Sequence, residues 1–158
     1  SVKSIFTIQR ILQRYYSNVS LRQLKRLARI KDVALSSLLE RRVDTFLYRT
    51  NLVKTIQEAR HLISHGHVFI NSNRIYISSH LIKIGDIIEI SPSIKQQIKE
   101  RLLQSLPQTR INVPHYFEIN YNLLIGTLLY HPKIKEIPYP INPTSTDLYE
   151  FEKNKIFK

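Results

Sequence analysis

The chain has no cysteine, no methionine and no tryptophan, and only three glycines and three alanines among its 158 residues. Each absence closes off a class of chemistry. Without cysteine there is no disulfide, thiolate zinc site, iron–sulfur cluster or cysteine nucleophile. Without methionine there is no initiator, so residues are expected to have been trimmed ahead of Ser1. No apolar run approaches the roughly 20 residues of a membrane-spanning helix. Acidic residues are also scarce, at 12 Asp plus Glu against 24 Lys plus Arg.

What is present is positive charge on an ordinary globular background. The formal charge is +12 and the isoelectric point about 10.0, with 42% hydrophobic residues. That apolar content sets the chain apart from a disordered polycation. A chain of this length buries about 70% of its unfolded surface and needs no covalent staple. The partner expected from charge is a polyanion, with nucleic acid ahead of an acidic membrane surface. The charge is uneven: residues 1–60 hold 13 Lys/Arg against 4 Asp/Glu, residues 61–110 hold 6 against 3, and residues 111–158 hold 5 against 5. A binding face would crowd charge in this way, and a solvated helix surface is the plainer alternative. The neutral last third is expected to meet protein neighbours, or a polyanion only sparsely. Ile (23 residues) and Leu (19) stand where small residues are usual, a bias that fits the A- and T-rich codons of organelle genomes.

Periodicity organises the chain. Ser20 is placed to cap a helix running through Ile30, with Leu21, Leu24, Leu27 and Ile30 as its stripe and Arg22, Lys25, Arg26 and Arg29 on its other faces. Residues 1–19 are mixed and Tyr-rich. A second helix is expected from Ala34 to about Arg49, with Leu35, Leu38, Leu39, Val43, Phe46 and Leu47 buried. Thr55 and Glu58 make a capping box for a third helix with Ala59, Leu62 and Ile63 inside, and Gly66 ends it in the left-handed region. The period then switches to two. Residues 67–77 predict a hairpin turning at Asn71-Ser72-Asn73, and a strand at Ile87–Ile90 follows the Gly85-Asp86 turn. Ser93–Gln104 predicts a helix with Ile94, Ile98, Leu102 and Leu103 on one face. Strands are expected at Tyr116–Ile119 and Leu123–Tyr130, before a tail broken at Pro132, Pro138, Pro140 and Pro143.

The run Glu40-Arg41-Arg42-Val43-Asp44, then Thr55, Glu58, Ala59, Arg60, Leu62, Ile63, Gly66, Val68, Ile70, Asn71 and Gly85-Asp86, resembles the RNA-binding fold named after small-subunit ribosomal protein four, the S-four fold. Flanking segments extend the resemblance to the S-four ribosomal family over roughly residues 19–158: Val19–Arg26 before the fold, and Tyr116–Asn120, Tyr130-His131-Pro132 and Glu136–Pro140 after it. The tail is similar to the mitochondrial version. Two positions depart from the family pattern: Ile56 replaces a usual Arg, removing a phosphate donor, and Ser72 replaces a usual Gly in the turn.

The resemblance implies an α+β chain in three parts. These are a helical basic N-terminal region (1–39), an S-four RNA-binding domain of two helices packed on a short antiparallel sheet (40–92), and a helix plus strand-rich extension (93–158). It implies a non-enzymatic constituent of the small ribosomal subunit, bound to the 5′ domain of small-subunit ribosomal RNA. Neighbouring ribosomal proteins are the further partners, and messenger RNA where it enters the subunit. The expected compartment is the mitochondrion, with the plastid as alternative; the absence of a visible transit peptide suits an organelle-encoded or trimmed chain. Self-association, membrane binding, cofactor and metal are not expected, and the zinc site of some bacterial members is impossible without cysteine.

The expected RNA contacts are Arg22, Lys25, Arg26, Arg29, Arg41, Arg42, Arg49, Lys54, Arg60, His61, His65, His67, Asn71 and Arg74, acting on phosphates, sugars and shape. For Asn71 and Asn73 a sugar contact and a turn role stand side by side. Asp44 is expected to orient Arg42 or Arg60, because an acid facing phosphate is repelled.

Rival readings are weaker. A pseudouridine synthase would need a catalytic domain, and the 70 or so residues after Asp86 are too few. A helix-turn-helix DNA regulator would not need the hairpin block after Gly66. A free-standing S-four RNA chaperone leaves the N-terminal helical region and the matched tail unexplained. His61 and His65 have metal-capable i, i+4 spacing, but no acid or cysteine completes a set. The Ser20–Ile30 helix has the charge for a membrane surface, yet its leucines are more simply core.

Overall fold

The isoleucines that alternate along the middle of the chain build a five-stranded antiparallel sheet in a computed structural model that describes residues 2–30, 33–105 and 112–138. The strands are β1 (Val68–Ile70), β2 (Asn73–Ile75), β3 (Ile87–Ile90), β4 (Phe117–Asn120) and β5 (Ile125–Leu128), in spatial order β2-β1-β3-β5-β4. Val68, Ile70, Ile88, Ile90, Phe117 and Leu128 point into one core, as a period of two requires. The β1–β2 turn holds Asn71 and Ser72 at φ of 49° and 67°, with Ile70 paired to Asn73. Positive φ at both central residues defines a type I′ turn, so Ser72 takes the conformation a glycine would take freely.

Helices α4 (Val43–Arg49), α5 (Ile56–Ser64) and α6 (Pro92–Ser105) contribute Phe46, Leu47, Ala59, Ile63, Ile98 and Leu102 to the same core. Gly126 lets α4 sit down on the sheet: a Cβ there would lie 2.5 Å from Phe46 Cζ and 2.9 Å from the Glu118 carbonyl. Residues 117–128 therefore belong to this sheet, because β5 pairs with the free edge of β3 (Ile88 opposite Gly126). Glu40–Pro132 form one compact unit.

The described residues on either side form a second. There α1 (Val2–Tyr15), α2 (Leu21–Ala28) and the start of α3 (Leu35–Glu40) bury Leu12, Tyr16, Val19, Leu24 and Leu35, with Ile134 of a short 3₁₀ turn (Ile134–Glu136) against them. Ser20 caps α2 as expected, accepting from Gln23 N–H at 3.2 Å while its own N–H donates to the Gln23 side chain at 3.3 Å. This box is worth about 1 kcal/mol.

Several expectations change. The mixed first stretch of the expected helical N-terminal region holds a helix of its own, α1 over Val2–Tyr15. The expected helix from Ala34 to Arg49 is two helices, broken where Arg42 is extended (φ −66°, ψ 142°) and bridges to Leu81. Helix α2 ends at Ala28, and of its predicted stripe Leu24 is buried, Leu27 half-buried, and Leu21 and Ile30 exposed. An i, i+3 stripe drifts about 60° per step around a helix, so four such residues cannot face one core. Leu103 is likewise exposed, about 100° around α6 from buried Leu102. The predicted breaks at Pro140 and Pro143 lie outside the described residues.

Candidate nucleic-acid interface

Helix α5 carries the best-defined cationic face. Thr55 Oγ1 accepts from Glu58 N–H at 3.1 Å, which starts the helix, while the Glu58 carboxylate reaches back to Lys54 N–H at 2.9 Å. The capping box is thus shifted by one residue on its return arm. At the other end Gly66 N–H donates to Ile63 O (3.0 Å) and His67 N–H to Leu62 O (3.0 Å), with Gly66 at φ 76°. This is the Schellman arrangement, and the left-handed φ is why glycine is needed there. With Ile56, Ala59 and Ile63 buried, the outward positions are Gln57, Arg60, His61, Ser64 and, at the C-cap, His65. The His61 and His65 rings lie 4.1 Å apart, centroid to centroid.

The arginines of this unit divide by the acids beside them. Arg42 was expected to meet phosphate, but it is 3% exposed. Its Nε and Nη2 donate to the two Asp44 carboxylate oxygens at 3.1 and 3.0 Å. Asp44 also accepts from Thr45 N–H at 2.8 Å and from Arg60 Nε at 3.0 Å. Asp44 thus orients both arginines: Arg42 becomes part of the frame, and the half-buried Arg60 is held on the outer face of α5. Arg49 is also drawn in, donating through Nε and Nη2 to buried Glu40 at 3.1 and 2.8 Å. Tyr116 completes that site, its hydroxyl donating to Glu40 at 2.7 Å. The half-buried Arg41 donates through Nε to Ile82 O at 3.0 Å. Burial, and then the charge of Arg41, push the His131 imidazole below its ordinary value.

The remaining expected residues fall out as follows. Lys54 is exposed and His67 half-buried. Asn71 serves the turn: its Oδ1 accepts from Ile87 N–H at 3.0 Å and its Nδ2 donates to Asp86 at 2.9 Å. Arg74 is exposed, with its guanidinium 5.1 Å from the centre of the Phe69 ring, directly across the β1–β2 ladder. On α2, Arg22, Lys25 and Arg26 are exposed, as is Arg29 at the C-cap, and no acid lies within the helix. Sequence reasoning missed the roles of Glu40 and Tyr116, whose partners are far apart along the chain. Among the described residues no group of three or more His, Asp or Glu is placed to hold a metal ion, and no helix is long and apolar enough to cross a membrane.

Comparison with known proteins agrees with this arrangement. Residues 41–88 match the S4 domain. The chain is 34% identical over 137 residues to small ribosomal subunit protein uS4 of Granulibacter bethesdensis, covering 82% of this chain and 66% of that protein. It is 34% identical over 147 residues to uS4 of Acidiphilium cryptum (89% and 71%) and 37% identical over 117 residues to uS4 of Azorhizobium caulinodans (74% and 56%). The chain therefore spans about two thirds of the length of the curated relatives it matches. With its S4 domain, its five-stranded α+β unit and this extent of identity, the chain belongs to the small ribosomal subunit protein uS4 family.

Proposed function

We infer that the chain is a structural, non-enzymatic constituent of a small ribosomal subunit and binds small-subunit ribosomal RNA, in its 5′ domain. The observation that carries this reading is the outer face of α5 with exposed Lys54 before it: Arg60 held in place by the buried Asp44 carboxylate, beside exposed His61 and His65, inside an S4 domain. Fixed donors of this kind suit a folded RNA read through phosphates and sugars. The exposed cations of α2 add field and phosphate contacts. Neighbouring ribosomal proteins are the partners for the neutral last third, and messenger RNA is met where it enters the subunit. The isoleucine-rich, glycine- and alanine-poor composition supports a mitochondrial ribosome, with the plastid as the alternative.

The test is salt dependence. The full chain is titrated with a transcript of the small-subunit 5′ domain over a range of salt. Arg60→Ala, Lys54→Ala and Arg26→Ala should each weaken binding and flatten the logarithmic salt slope by about 1. Slopes unchanged in all three would sink this choice of face. Recovery of the chain with small subunits after a high-salt wash, from purified organelles, checks the assembly and the compartment together.

A further inference from the structure

The predicted contacts are all cations or hydrogen-bonding groups. One exposed aromatic stands among them without a structural task. Tyr76 follows β2 and is 59% exposed, against 38% for Tyr48 and 36% for Tyr130. It lies two residues from Arg74, so the pleat sends both side chains to one face. Both reach the C-terminal end of α5: a Cβ at Gly66 would lie 3.0 Å from Tyr76 Cε1 and 3.0 Å from Arg74 Cδ. One edge of the Tyr76 ring is thus braced on backbone. Beside it lies the Arg74 stem, with its guanidinium carbon over the Phe69 ring. Exposed His65 and half-buried His67 flank Gly66 in the chain.

The geometry points to Tyr76 as a stacking platform for an unpaired base of the bound RNA, with Arg74 taking the phosphate of the same nucleotide. This rests on the RNA-binding reading above and adds to it a preference for single-stranded over fully paired structure. An aromatic ring gains by stacking only on a base freed from its own helix, whereas cations serve paired and unpaired RNA alike. The bracing matters because a ring already held in place loses little freedom on binding.

Two transcripts test it: a stem-loop with one unpaired adenine bulged from its stem, and the same stem-loop without the bulge. Tyr76→Ala in the full chain should weaken binding to the bulged RNA about tenfold, a stacking contribution of about 1.4 kcal/mol. It should leave the unbulged stem within about twofold. Tyr76→Phe should bind both as the native chain does. Tyr76→Leu, which keeps apolar area without a π face, should lose affinity for the bulge alone. The salt slope should be unchanged in all three and lowered by about 1 in Arg74→Ala. Equal losses on both transcripts, full affinity in Tyr76→Leu, or no loss in Tyr76→Ala would each overturn the assignment. A native chain that holds the 5′-domain transcript but neither stem-loop would also overturn it, and one that binds none of the three would instead remove the RNA-binding reading beneath it.

Discussion

Helix α2 and the stretch from Arg41 to Arg60 carry comparable positive charge and use it in opposite ways. On α2, Arg22, Lys25 and Arg26 are exposed on a helix without an acid. Between 41 and 60, four arginines and a lysine share space with Glu40, Asp44 and Glu58. There two buried carboxylates draw Arg42 and Arg49 inward and hold Arg60 by one edge. Charge counted along a sequence measures the field a region presents to a polyanion, but not how many of its cations can touch one. The first arrangement gives adaptable contacts that each cost side-chain entropy on binding. The second gives fewer contacts, already oriented.

The sharpest way to break this contrast is to remove Asp44. Asp44→Ala leaves the Arg42 guanidinium buried without its partner, and loss of one member of a buried pair costs about 3–5 kcal/mol. Urea unfolding of the full chain measures it. Arg26→Ala on α2, an exposed position, should stay within about 0.5 kcal/mol in the same assay. A near-neutral Asp44→Ala would mean that Arg42 finds another outlet, and the division into framed and free cations would fail.

A second test leaves every charge in place. The framed arginines depend on α4 being seated on the sheet, and α4 is seated through the Phe46 ring over Gly126. Gly126→Ala should destabilise the chain by about 1–3 kcal/mol, the usual cost of overpacking a close contact. Combined with Phe46→Leu, the loss should be smaller than the two single losses added, because the shorter side chain makes room for the new methyl group. Strict additivity would show that Gly126 is required by something other than Phe46.

The same contrast explains what could be read without coordinates. The ends of α5, the Asn71-Ser72 turn and the Gly85-Asp86 turn are written in residues only a few positions apart, and each forms where expected. Asp44 was recognisable as a partner of Arg42 because they lie two positions apart in the chain. The break at Arg41–Arg42 carries no glycine or proline; it is made by pairing with Leu81 and by Ile82 N–H donating to Arg41 O at 2.8 Å. Read as one continuous helix, residues 34–49 place Glu40 and Arg49 out of reach of one another. Only the break brings them together. The burial of Arg49 was hidden for the same reason. Local chemistry is legible; a change of direction imposed from far along the chain is not.

The smallest expected effect is a dependence on pH that only the framed region should show. Burial raises the Glu58 carboxyl, but the Lys54 N–H bond, the bond and charge of Arg101, and the charge of Lys54 together bring it below the ordinary value of 4.5. The folded chain therefore keeps this carboxylate ionised to lower pH than the unfolded chain does. Its contribution to stability is fully present above the unfolded value and is lost as pH falls through the folded one. In urea unfolding, the gap between the native chain and Glu58→Gln should be constant from neutral pH down to the carboxylate range, then narrow below about 4.5. The gap between the native chain and Arg26→Ala on α2, where no acid lies within the helix, should not change across that window. A Glu58→Gln gap that stays constant to the lowest pH would show that Arg101 and Lys54 N–H hold Glu58 no more tightly when it is charged. In that case the framing of this region by carboxylates would rest on Glu40 and Asp44 alone.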